Sequence, residues 1–171
     1  IQLACKNGHI EVFKLLLLDS RVDPGAFENY IYVVRDASCR GQIDVVKLLL
    51  ADSRVDPGAD DNYAIGVYCD YGHAEVVKLL LADDRVDPGA DGNYAVRFAS
   101  ENGHVEVVKL LLADSRVDPG TDDNYAIGVS CEYGHVEVVK LLLAHDRVDP
   151  GAYDNYAIRL ACKNGHIEVV K

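Results

Sequence analysis

The chain lacks any apolar run able to cross a bilayer. The stretch Val76, Val77, Lys78, Leu79, Leu80, Leu81 carries a lysine and ends within a few residues, far short of the roughly 20 that a spanning helix needs. Membrane insertion is excluded on that ground. Basic residues are also in deficit, 17 against 28 acidic ones for a net charge of −11. A surface of that sign repels phosphate backbones and anionic lipid heads, which argues against nucleic acid as a partner. Cysteines at 5, 39, 69, 131 and 162 are too few, and odd in number, for a disulfide framework in 171 residues. No Gly-rich phosphate loop, Cys-x-x-Cys pair or Gly-x-Ser-x-Gly elbow occurs, so the signatures of nucleotide, thiol-redox and hydrolase chemistry are missing. There is no initiator Met or signal-like start. The chain opens inside a repeat at Ile1 and closes inside one at Lys171, and reads as part of a longer array.

What is present is repetition. The string GH-x-EVVKLLLA-x-x-RVDPG returns at a spacing of 31 residues, anchored on Gly41, Gly72, Gly103, Gly134 and Gly165, with a step of 33 from Gly8 to Gly41. Units this short cannot bury their own apolar faces, so neighbours must stack into a solenoid with an extended surface. At 49% apolar and 26% charged residues, the composition suits a packed chain.

Within the unit from Tyr94 to Asn124 the pattern predicts helix, helix, loop. Val96, Ala99 and Ser100 form one small-residue face. Asn93 is a candidate N-cap, and Gly103 stands where a helix end calls for a left-handed residue. Val105, Val107, Val108, Leu110, Leu111 and Leu112 form the wide apolar face of the second helix, with Glu106 and Lys109 turned to water. Asp114, Ser115 and Arg116 end it, and Pro119 with Gly120 impose a turn.

The Gly-His pairs at Gly72-His73, Gly103-His104, Gly134-His135 and Gly165-His166, each followed by Val-Val-Lys-Leu-Leu-Leu or its start, resemble the ankyrin repeat over the whole chain. The resemblance implies an all-α solenoid of stacked helix-turn-helix layers joined by short hairpin-like loops. It makes residues 1–171 one array of about six layers, the first and last incomplete. Where the family usually opens its first helix with Thr-Pro-Leu-His, this chain has Tyr94-Ala95-Val96-Arg97 or Tyr125-Ala126-Ile127-Gly128. Tyr63, Tyr94, Tyr125 and Tyr156 are therefore expected to brace adjacent layers by packing. The family period is about 33 residues, and the shortening here falls in the loop. Only the loop from Asp19 to Ile31 keeps full length, and the others should be clipped, with Val55, Val86, Val117 and Val148 tucked beneath them and each Asp-Pro pair fixing the turn.

His9, His73, His104, His135 and His166 form a column, but successive layers are too far apart to share one ion. Each is expected to cap its second helix or bond a neighbouring loop; Gln42 takes the position in one layer. His145 beside Asp146 is an exposed loop residue, and Asp60-Asp61 and Asp122-Asp123 are solvated turn residues. Cys5, Cys69, Cys131 and Cys162 recur three residues before the glycine. Equivalent places on layers roughly 10 Å apart cannot form disulfides, which points to free, buried thiols in a reducing, cytoplasmic compartment. Asp36, on an otherwise apolar face, would need Arg35 or Arg40 as a partner and marks either a local irregularity or a recognition pocket.

Where repeats disagree, solvent-facing positions are expected. The variable pairs before each glycine supply the candidate partner-binding residues Arg40, Asp70, Tyr71, Glu101, Asn102, Glu132, Tyr133, Lys163 and Asn164. The resemblance places them at the concave side, where partners are held. Gly66 and Gly128 alternate with Arg35, Arg97 and Arg159, either as a surface of two-repeat period or as the relic of a duplicated pair. The expected function is binding of a protein partner with basic and apolar features, the alternative a structural spacer in a larger assembly. No catalytic residue, metal or cofactor is assigned.

Overall fold

In the computed structural model, residues 1–24, 32–34, 37 and 42–170 are described, Gln2 by its backbone alone. Arg35, Asp36, Cys39, Arg40, Gly41 and residues 25–31 of the long first loop lie outside the described residues. The expectations attached to them end there.

The described residues form helices and turns, with no strand among them. Layer 1 holds α1 (Gln2–Lys6) and α2 (Ile10–Leu18); layer 2 contributes the helical residues 32–34 and 37 and α3 (Ile43–Ala51). Layer 3 is α4 (Ala59–Asp70) and α5 (Ala74–Leu81), and layer 4 is α6 (Ala90–Glu101) and α7 (Val105–Leu112). Layer 5 is α8 (Thr121–Tyr133) and α9 (Val136–Leu143); layer 6 is α10 (Ala152–Asn164) and α11 (Ile167–Val170). From layer 3 onward, first helices pack on first helices, second on second, and the two helices of a layer on each other.

Apolar spacing decides the second helices. Val76, Val77 and Leu80, then Val107, Val108 and Leu111, then Val138, Val139 and Leu142 are buried in successive layers, each side chain contributing about 1.5–3 kcal/mol. The opposite flank carries Glu106 to Lys109 at 2.6 Å and Glu137 to Lys140 at 2.7 Å, both exposed. In the first helix of layer 4, Val96, Ala99 and Ser100 are fully buried, as the small-residue face requires.

From layer 3 onward the start of each first helix departs from expectation. Asp60, Asp61 and Asn62 have φ of 50°, 52° and 61°, and the same left-handed turn recurs at 91–93, 122–124 and 153–155. Asp and Asn tolerate this region best among residues with a Cβ. Asn93 is therefore not an N-cap: it makes no capping bond, and its Oδ1 accepts the Asp118 N–H at 2.6 Å. Asn62 and Asn124 receive Asp87 and Asp149 N–H the same way, at 2.7 Å. The asparagine ties its layer to the loop leading into the next one.

The clipped loops are runs of turns. Asp87 and Asp118 each accept the N–H two residues on, at Gly89 and Gly120, completing the Asp-Pro-Gly turn. Val55, Val86 and Val117 lie buried beneath the loops, and Val148 is half-buried. Gly58 and Gly120 are needed because a Cβ there would collide with the carbonyls of Arg85 and Arg147 in the following loop.

Candidate partner-binding face

The Gly-His pair fixes the backbone on which the variable residues stand. Gly72, Gly103 and Gly134 close their first helices at φ of 73°, 71° and 76°. The next layer's histidine ring lies against each: a Cβ on Gly72 would sit 2.6 Å from His104 Nδ1. His104 Nε2 donates to the Asp70 carbonyl at 2.8 Å, His135 to Glu101 at 2.8 Å and His166 to Glu132 at 2.9 Å. Since a carbonyl only accepts, the proton is on Nε2. Neither His104 nor His135 caps its own second helix with its side chain; the bond runs to the preceding layer. Burial, with the neighbouring His104, holds the His73 imidazole below the usual range.

Those bonds use the backbone and leave the side chains free to project. Tyr71 and Tyr133 are 52% and 54% exposed. Asp70, Glu101 and Glu132 are half-buried beside them. Asn102 Nδ2 donates to Asp70 Oδ1 at 2.9 Å, and Asn164 Nδ2 to the Glu132 carbonyl at 3.0 Å. The two asparagines are thus engaged in joining layers, while the tyrosines at the alternate positions project. Lys163 is exposed, and Arg40 lies outside the described residues. Burial, and then the Glu101 charge, raises the Tyr125 hydroxyl above its ordinary pKa; burial, and then Asp70, does so for Tyr94. Tyr94 and Tyr125 therefore share the electrostatics of the acidic row.

The alternation of glycine and arginine has a packing counterpart. Tyr94 lies on Gly66, where a Cβ would collide with its ring, whereas Arg97 places its guanidinium 4.7 Å from the centre of the Tyr125 ring. Tyr94 and Tyr125 do brace adjacent layers, by two different contacts.

Cys5, Cys69 and Cys131 are buried and in no disulfide, with burial raising the Cys69 thiol pKa and pushing that of Cys131 up to about 11. Cys162 is free but exposed. Asp60, Asp61 and Asp123 are exposed, as solvated turn residues should be, and Asp122, exposed as well, pairs with Arg97 at 3.4 Å.

One recurring device had no role in the sequence reading, the arginine of Arg-Val-Asp-Pro. Arg85 holds Asp83 through Nε at 2.9 Å and Nη2 at 2.6 Å, and reaches back to the Val55 and Leu50 carbonyls at 2.8 and 3.0 Å. Arg54 and Arg116 repeat the clamp on Asp52 and Asp114. The signal was available: Asp-x-Arg recurs at 52–54, 83–85 and 114–116, and fails where His145 precedes Arg147.

Stacked two-helix layers tied at three points, by asparagine, histidine and arginine, define a helical repeat solenoid. The family model described as ankyrin repeats (3 copies) matches residues 34–123 and 115–171, and that for a single ankyrin repeat matches residues 1–29. The chain belongs to the ankyrin-repeat family, whose members are generally protein–protein interaction modules and typically not enzymes. A search of curated proteins finds no match. Among the described residues, no helix is long and apolar enough to cross a membrane.

Proposed function

We propose that the array binds a protein partner along the face formed by the ends of its first helices, the concave face by family likeness, and that it has no catalytic role. The observation that carries this is the exposure of Tyr71 and Tyr133 at the positions where, in alternate layers, Asn102 and Asn164 are engaged in joining layers. Tyrosine offers a large contact area and a polar tip, and it is enriched among the energetic anchors of interfaces. Asp70, Glu101 and Glu132 alongside favour a partner with basic and apolar features. Asn102, Lys163 and Asn164 complete the face among the described residues. The absence of a disulfide at Cys5, Cys69, Cys131 and Cys162 supports a reducing, cytoplasmic setting.

Affinity capture with mass spectrometry would supply the partner, and the double variant Tyr71→Ala/Tyr133→Ala would then be compared with the parent chain. The expected loss is tenfold or more in affinity, about 1.4 kcal/mol, with the circular dichroism spectrum unchanged. An affinity within about threefold of the parent, less than half that energy, would dismiss the tyrosine face.

A further inference from the structure

A cavity of about 100 Å³ lies between layers 3 and 4, walled by Asp61, Tyr63, Gly66, Pro88, Asp91 and Tyr94. One layer on, the protein fills the equivalent space itself. Arg97, standing 31 residues after Gly66, lays its guanidinium over the Tyr125 ring and brings Nη2 to 3.4 Å from Asp122 Oδ2. Its Nη1 sits 3.6 Å from the point where Gly92 would carry a Cβ. Each of these neighbours has its counterpart in the cavity wall: Tyr94 for Tyr125, Asp91 for Asp122 and Asp61 for Gly92. What is missing is the arginine: in its place stands Gly66. The Tyr94 ring closes onto it so that a Cβ there would collide with Cδ1 and Cε1, and the cavity is the space left beside that ring.

The cavity therefore presents the surroundings of a guanidinium without the guanidinium. Asp61 adds a second carboxylate where Arg97 meets only a glycine. Neither Asp61 nor Asp91 takes part in an ion pair among the described residues. Phe98 stacks on Tyr94 with ring centres 4.0 Å apart and holds that wall in place. The pattern does not simply recur at the other glycine layer. Beyond Gly128 the aspartate is replaced by Tyr153, whose ring lies edge-on to Tyr156 at 6.4 Å.

We propose that the cavity between Gly66 and Tyr94 receives the guanidinium of an arginine side chain from a protein partner, set against Tyr94 and hydrogen-bonded to Asp91 and Asp61. This deepens the reading of the neighbouring first-helix ends as a partner face and rests on it. Arginine suits the cavity better than lysine, because a planar, weakly hydrated guanidinium both packs on a ring and forks onto carboxylates, whereas an ammonium holds its water more tightly.

The test is an NMR titration of the whole chain with N-acetyl-arginine amide, with the matching lysine and citrulline amides in parallel. Saturable shifts are expected at the amides of Gly66, Asp91 and Tyr94, with a Kd in about the millimolar range for so small a probe. The lysine probe should bind at least about threefold more weakly, and citrulline, having lost the charge, about tenfold. Asp91→Asn should weaken the arginine probe about tenfold. Arg97→Gly should open a second site, with new shifts at Asp122 and Tyr125. Absence of saturation up to about 50 mM, equal binding of citrulline, or indifference to Asp91→Asn would each overturn the proposal. The titration needs no partner protein, so its failure is separable from that of the tyrosine face, which Tyr71→Ala/Tyr133→Ala tests alone.

Discussion

His145 is the natural defect of the arginine clamp, and His145→Asp should repair it. In this layer Arg147 has no aspartate to hold it. Its N–H meets His145 Nδ1 at 3.3 Å and its Nη2 reaches the Ser115 carbonyl at a marginal 3.5 Å. The carbonyls it should reach, by 31-residue equivalence with Val86 and Leu81 for Arg116, are those of Val117 and Leu112. An aspartate at 145 would orient the guanidinium as Asp114 orients Arg116, with two N–H donors on the carboxylate and two on the preceding layer. A partly exposed bidentate pair contributes about 0.2–1 kcal/mol. Two hydrogen bonds at a wet site, taken at the ordinary net value of about 1 kcal/mol each, add about 2 kcal/mol. Ordering the long side chain costs about 1–1.5 kcal/mol. The net is about 0.7–2 kcal/mol, or a Tm higher by roughly 1.5–8 °C for a chain of this length.

Thermal and urea unfolding followed by circular dichroism would read this gain, and its pH dependence identifies the cause. The arginine hydrogen bonds hold Asp114 below the usual carboxylate range, and an aspartate at 145 should share that depression. A carboxylate depressed in the folded state stabilises fully above its unfolded pKa of about 3.9 and loses that contribution as pH falls through the folded value. The gain should accordingly be present at neutral pH and shrink below about pH 4. An unchanged Tm at neutral pH would refute the clamp. So would an equal gain from His145→Ala, since that would credit removal of the histidine and not the pairing.

Two further outcomes follow from the repeated ties. Ser100 occupies the cysteine column, fully buried, and its hydroxyl has no hydrogen-bond partner; Ser100→Cys should stabilise by about 1 kcal/mol in urea unfolding, and a loss of stability would show the hydroxyl to be satisfied. The depressed pKa of His73 means that the unfolded state takes up its proton first. Stability should be level above about pH 6.5 and decline as pH falls below it. His73→Gln, which copies the natural Gln42 of layer 2, should flatten that decline, and an unaltered pH profile would exclude His73 as its source.

The layers are legible from spacing because a 31-residue return of Val-Val-x-x-Leu demands a stacked neighbour, and nothing local competes with that demand. The His column is legible only by half. Its recurrence announces a stacking role, but the acceptor is a main-chain carbonyl 34 residues back, and a carbonyl looks the same in every sequence. Asn93 misleads for a related reason. Asparagine before a helix is usually a cap, yet here three left-handed residues precede the right-handed turns and send its side chain to the next loop.

The alternation of Gly66, Arg97 and Gly128 shows where such reading stops. By spacing alone it is either a surface of two-repeat period or a relic of duplication. The contacts add a third possibility, because arginine and glycine solve the same problem, what to set against the next layer's tyrosine, with opposite consequences for the space left over. Arg97 closes that space with its own charge, and Gly66 leaves it open between two carboxylates. A duplicated pair could have produced the alternation and still left one layer able to take from a partner what its neighbour supplies from within. Ancestry and recognition are therefore not rival accounts of these positions, and the guanidinium titration bears on the second whatever the history of the first.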